Sequence, residues 1–311
     1  MSRETEKIMK ELQQFLALHS DEATDEESVD RLTRQFLLKC SSYPHSRKDA
    51  APETADDYLD LAEQASSKKK RLEYLRKALE LDPEHVDAQL EMIVHTMEKT
   101  PEEQLPALQK LMAAAAEPLE QEGCFKRDMG EFWAVLETRP YMRVRHTYFD
   151  ALISCGMIHC AISEGEELLK LCENDNLGVR YQLMHLYACT EDELHALALH
   201  KRFDSCEETQ MLLPLAVLYY KLNQFDRAKD CLKRLAAVNK DTKKFFRAAA
   251  GDRLEEFFMD MSPYGYRPFT IDELLEDLLL SPYLFASVPH FFQWASSYLR
   301  TQTTSRKRKQ P

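Results

Sequence analysis

The chain has 311 residues, with 41 Lys and Arg against 53 Asp and Glu, and its formal net charge of −12 argues against general binding to a phosphate backbone. Seven glycines are too few for the tight turns and phosphate loops of a large β or α/β protein, so the composition points to helices. No apolar run approaches the roughly 20 residues that span a bilayer, and MSRETEKIMKELQQF lacks the apolar centre of a secretion signal; the expectation is no membrane and a cytoplasmic location.

Residues 3–18 have the spacing of an amphipathic helix, with Ile8, Leu12, Phe15 and Leu16 on one stripe. After the acidic segment HSDEATDEES, Ser28 is placed to cap a second helix carrying Val29, Leu32, Phe36 and Leu37. The stretch from Ser41 to Glu53 holds two prolines and few large apolar side chains, and reads as a linker. Residues 1–50 are therefore expected as a helical arm and linker.

ADDYLDLAEQASS makes one helix and KKKRLEYLRKALELDP the next, with Leu72, Leu75, Ala78, Leu79 and the adjoining Leu81 apolar and Pro83 just past the end. EHVDAQLEMIVHTMEK starts another. A helix hairpin closing on ALELDP is the signature of a tetratricopeptide unit, whose period is 34 residues. The clearest single repeat runs from Ser205 to Asn239: Leu212, Leu215, Ala216 and Tyr219 on its first helix, a turn at Asn223-Gln224, then Phe225, Ala228, Cys231, Leu232 and Leu235. About five helix pairs fit between residues 55 and 250 by this period. The expected fold is all-α, a tetratricopeptide-like α-α superhelix, a solenoid of antiparallel helix pairs over 51–250.

Residues 251–300 change character. Thr270 is placed to cap IDELLEDLLL, and a last helix from about Pro289 to Leu299 carries Phe291, Phe292, Trp294 and Tyr298. A solenoid needs an atypical end repeat over its open core, and this segment suits that role; the same aromatics are also able to take a partner helix. Residues 301–311, TQTTSRKRKQP, read as a disordered basic tail.

At Phe132-Trp133, Glu137-Thr138-Arg139-Pro140-Tyr141-Met142-Arg143 and Asn174-Asp175-Asn176-Leu177-Gly178-Val179-Arg180-Tyr181, the chain resembles bacterial tetratricopeptide proteins related to the suppressor of tumorigenicity 7 family. Those carry ETRPYMRAR and then NPNDNQGVRY. The resemblance covers residues 130–300. Leu177 stands for the family's glutamine, and Val238 to Phe246 is a degenerate form of its NPHVPKYL stretch. The resemblance implies a repeat fold and a scaffold-like role, and it implies no reaction.

Two readings of the arginine motifs stand. First helices of tetratricopeptide units line a concave face, so Arg139, Tyr141, Arg143, Asn176, Arg180 and Tyr181 are candidates for a groove holding a partner's carboxylate. In the other reading the arginines pair internally, with Glu131, Glu137 or Asp175, and lock neighbouring repeats. Metal binding is not expected: Cys155, His159 and Cys160 flank a turn and His195 and His200 form a second group, but neither spacing is that of a zinc site. None of the eight cysteines is spaced as CxxC, and they read as small apolar core residues. GxSxG, HExxH, GxxxxGK[ST] and GxGxxG are absent from the sequence. The expectation is therefore a non-enzymatic scaffold or adaptor for a protein or peptide partner, with no cofactor. The alternative is a nucleic-acid-linked regulator using Arg306-Lys307-Arg308-Lys309.

Overall fold

The computed structural model describes residues 3–23, 25–42, 52–95, 100–261 and 265–307. Among them every regular element is a helix, eighteen in all, with no strand. The all-α expectation is thus met. None of these helices is long and apolar enough to cross a membrane. The chain divides into two compact units, 1–148 and 149–311.

The first unit contains α1 (Arg3–Leu18), α2 (Glu26–Ser42), α3 (Ala55–Gln64), α4 (Lys68–Leu81), α5 (Val86–His95), α6 (Pro101–Gln121), α7 (Cys124–Arg127) and the start of α8 (Arg139–Ser154). Thr54 caps α3 in a reciprocal box: its hydroxyl accepts from the Asp57 amide at 3.1 Å, and Asp57 accepts from the Thr54 amide at 3.1 Å. Ser67 caps α4. The two helices close on Ala55, Leu59 and Ala62 against Leu75 and Ala78; alanines at the contact let the axes approach. Leu81, expected with Leu72, Leu75 and Leu79, is exposed instead, because two residues beyond Leu79 the helix has turned it off that face.

Ser28 does not cap α2. Asp25 holds that position, accepting from the Ser28 amide at 2.8 Å while Ser28 accepts from the Asp25 amide at 3.0 Å, so the helix starts earlier than expected. Nor is α1 a separate arm: Lys7 reaches Asp57 at 2.7 Å and Asp60 at 3.2 Å on α3. Of the expected linker, residues 43–51 lie outside the described residues.

His85, just before α5, accepts from the Ala88 amide on Nδ1 at 3.2 Å and donates from Nε2 to Asp56 of α3 at 3.1 Å. That bond, with the carboxylate's charge, raises the imidazole above its ordinary value against the opposing effect of burial. A raised histidine contributes stability that is complete below about pH 6.5 and is lost as pH rises through the folded value. Chemical denaturation at pH 6 and pH 8.5 should therefore show a decline in the wild type that His85→Gln lacks. Equal declines would remove the pair from the stability of this unit.

The second unit holds the rest of α8, then α9 (Ile158–Leu171), α10 (Val179–Thr190), α11 (Glu193–Arg202), α12 (Thr209–Lys221), α13 (Phe225–Val238), α14 (Thr242–Ala250), α15 (Glu255–Phe258), α16 (Ile271–Leu280), α17 (Pro282–Ala286) and α18 (Phe291–Lys307). One turn recurs. Gly156, Glu191 and Asn223 adopt left-handed conformations (φ 69°, 60° and 60°). At each, the next amide bonds back to the carbonyl five residues earlier: Met157 to Leu152, Asp192 to Tyr187 and Gln224 to Tyr219, at 2.8–2.9 Å. This is the bond that closes a helix in a Schellman motif. Each turn joins consecutive helices, α8 to α9, α10 to α11 and α12 to α13. Gly165 on α9 lies where a Cβ would fall 2.9 Å from both Leu183 and Phe149, so its missing side chain lets α9 approach α8 and α10.

α12 packs against α10, α13 and α16, and Thr209 to Tyr219 is buried without interruption. Beyond α13, the buried Asn239 donates to the Thr270 carbonyl at 2.8 Å, and Glu273 accepts from Thr209 at 2.7 Å; these polar bonds pin the start of α16. Thr270 caps α16 as expected. Phe291 and Phe292 pack against Phe245 and Phe246, which places the C-terminal aromatics in a packed end. α18 does not stop near Leu299: the backbone stays helical to Lys307, since TQTTSRK contains neither glycine nor proline. Of the expected disordered tail, only 308–311 lie outside the described residues, Arg308 and Lys309 among them.

Candidate functional site

The six residues expected to line a groove fall into two groups, one per unit. In the first, Arg139 and Arg143 lie one turn apart on α8 and share a face. Arg143 grips Asp87 of α5 with two parallel bonds, Nε at 2.8 Å and Nη2 at 2.6 Å, and its Nη1 donates to both oxygens of Glu6 at 3.0 Å. Arg139 is 2% exposed. Its Nε donates to the Trp133 carbonyl at 2.8 Å, its Nη1 lies 3.3 Å from Glu6, and its guanidinium sits 5.4 Å from the Trp133 ring centre. Burial alone would lower the Arg143 pKa, but Asp87 and Glu6 outweigh it and hold the side chain charged. These arginines are paired internally, though not with Glu131 or Glu137. Their partners come from α1 and α5, out of reach of local spacing.

Tyr141 does not share that face. It is buried against Phe125 and Phe132, and its hydroxyl accepts from Arg145 at 3.2 Å. Two residues along a helix is about 200° of rotation, which turns Tyr141 away from Arg139 and Arg143.

In the second unit, Asp175 takes a left-handed conformation (φ 50°) and aims its carboxylate at the start of α10. It accepts from the amides of Val179 at 2.7 Å and Arg180 at 3.1 Å, and from Arg180 Nη1 at 3.0 Å. Those are the first free N–H groups of the helix, where a carboxylate is stabilised. Burial nevertheless pushes the Asp175 carboxyl up, against the pull of Arg180 and Val179. The Arg180 guanidinium lies between the rings of Tyr181 and Phe203, at 4.3 and 5.0 Å, and Tyr181 donates to Glu208 at 2.9 Å. Asn176 is exposed beside them and accepts from the Cys172 thiol. Asp175 was among the internal partners expected from the sequence; Glu208, 27 residues on from Tyr181, was not.

Two further features had weaker signals. His185 and Asp277 are both 0% exposed and meet at 3.2 Å. Asp277 falls three residues after Leu274 in IDELLEDLLL, so an acid on the apolar stripe was visible in the sequence; its histidine, 92 residues away, was not. Burial pushes the Asp277 carboxyl up, and His185 opposes that. The pair is sealed from solvent and offers no substrate a path.

The other is an open groove of about 610 Å³ on α9, α10 and α11. Its acids are Glu166, Glu191, Asp192 and Glu193, and its apolar contacts are Ile162 and Leu194. Leu194 is 75% exposed. His159 and His195, weighed above as ligands, line the same groove. His195 bonds to Asp192 at 2.6 Å, while His200 lies buried 3.0 Å from the Cys206 carbonyl. Among the described residues no group of three or more His, Cys, Asp or Glu side chains is arranged to hold a metal ion.

The chain matches no protein-family model and no curated protein.

Proposed function

We propose that the chain is a non-catalytic protein-binding scaffold, a solenoid of tetratricopeptide-like helix pairs that takes a partner segment along its helices. The observation that carries this reading is the turn inside three successive helix pairs, at Gly156, Glu191 and Asn223; the same closing bond also forms after Asp204, between two pairs, and after Asp252, beyond the last. The three positions lie 35 and 32 residues apart, close to the 34-residue period of a tetratricopeptide unit. Arrays of this kind present helix faces to partners instead of enclosing a reaction centre. The resemblance of the ETRPYMR and DNxGVRY segments to a family of such proteins supports the same reading.

The groove on α9–α11 is the surface offered to the partner. Glu191 and Glu193 are already met by Lys221 and Arg227, so cationic side chains of a partner would face Glu166 and Asp192, and Leu194 supplies an apolar anchor where burial contributes most. Leu194→Arg introduces a charge without disturbing the core, so helical content and melting temperature should hold, with stability within about 0.5 kcal/mol. The full chain and the variant would be used to capture partners from the cell of origin. The expected result is a partner set recovered with the wild type and reduced roughly tenfold or more with the variant, the effect of losing about 1.4 kcal/mol of binding. Equal recovery by both proteins, or none by either, would overturn the proposal.

A further inference from the structure

Two guanidiniums on α8, those of Arg139 and Arg143, meet at one carboxylate brought by α1. Asp87 on α5 pairs with Arg143, and Glu6 arrives from α1, at the far end of the unit's sequence. Glu6 is 6% exposed and touches both arginines. It is also the one buried side chain among those described on α1. The flanking contacts of α1 are charged as well: Lys7 with Asp57 and Asp60, and Lys10 at 3.9 Å from Asp56. Helices normally dock by burying an apolar stripe. This one presents Glu6, Lys7 and Lys10 to α3 and α8, with Ile8, Leu12 and Leu16 half-buried and Phe15 turned to Phe36 of α2.

The lysine pairs are part-exposed, each worth little and weakened by salt, and Glu6 is the one buried tie. α1 is therefore seated as a ligand would be, by a carboxylate in an arginine fork with two lysines on a rim of aspartates.

We infer that Arg139 and Arg143 form a carboxylate-binding site that α1 fills as an internal stand-in for a partner helix. The partner it fits is a helical segment of another protein with the pattern Glu-Lys-x-x-Lys. The glutamate enters the arginine pair, and the lysines one and four residues on meet Asp56, Asp57 and Asp60. With α1 in place the site is closed; a partner opens it by competition. The inference rests on the protein-binding reading above and adds a second surface, with its own control, to the groove at Leu194.

The test uses the full chain carrying Glu6→Ala, Lys7→Ala and Lys10→Ala, and a fluorescent peptide with the sequence of residues 3–18. The loosened variant should bind the peptide saturably, roughly tenfold or more tighter than the wild type, whose tethered α1 competes at high effective concentration. A peptide with Glu6→Gln should lose most of that binding, and raising salt from about 0.05 M to about 0.5 M should release it. Hydrogen exchange on the wild type gives an independent reading should the variant fail to fold. Amides of α1 should exchange before those of α3, α5 and α8, and faster at high salt. A folded variant that ignores the peptide would overturn the inference, as would α1 amides that exchange only on global unfolding. Partner capture through Leu194 that persists after such a result would leave the scaffold reading standing and remove this site alone.

Discussion

Arg143→Ala should destabilise the unit of residues 1–148 by about 3–5 kcal/mol, the loss expected when one member of a largely buried ion pair is removed. The reason is what stays behind. Asp87 is buried and loses two charge-assisted bonds, at 2.8 and 2.6 Å, while Glu6 keeps only Arg139. A stranded carboxylate has to protonate or reach water, and either route opens the α5–α8 contact. Replacing both members by similar volumes, Arg143→Met with Asp87→Leu, should recover much of the loss, because no charge is then left without a partner. The two tryptophans make the measurement clean, since Trp133 lies in this unit and Trp294 in the other. Urea unfolding followed by Trp133 fluorescence, in a Trp294→Phe background, reports this unit. A loss below about 1 kcal/mol, the level of an exposed pair, would mean that Arg143 faces solvent or a partner.

In the unit of residues 149–311, Phe246→Ala should cost about 3–5 kcal/mol, the range for deleting a buried phenylalanine. Phe246 is fully buried with Phe245, Phe291 and Phe292 at ring distances of 5.2, 5.8 and 6.1 Å. These rings join α14 to α18, so the cavity would fall in the contact that closes this end. Edge-to-face geometry at two of the pairs, 82° and 74°, adds to the area effect. Phe246→Leu should cost markedly less, since it retains most of the volume. Trp294 stacks 6.0 Å from Phe291 and is the reporter for this melt. If alanine and leucine behave alike and both losses stay below about 1 kcal/mol, the aromatic end is loosely packed and free to serve a partner.

The contrast between these sites shows which properties are local. Helix spacing, the cap at Thr270, the turn at Asn223-Gln224 and the scarcity of glycine were legible in the chain. Each depends on residues within a turn or two of one another, so the all-α character and most helix positions followed from order alone. Misreadings at this level were local too. Ser28 is the fourth residue of a capping box whose first is Asp25, and Tyr141 sits two positions from Arg139, where helical rotation sends it into the core.

Pairing across the fold was not legible. Arg143 meets Asp87 and Glu6 at sequence separations of 56 and 137, and His185 meets Asp277 at 92. Periodicity says that a charge lies on a helix face, but not which distant face will meet it. That Arg143 grips a carboxylate of its own unit was decided only when α1, α5 and α8 packed. A buried charge has to find a partner inside the fold, and the choice among 53 acidic residues belongs to three-dimensional proximity, which no local pattern encodes.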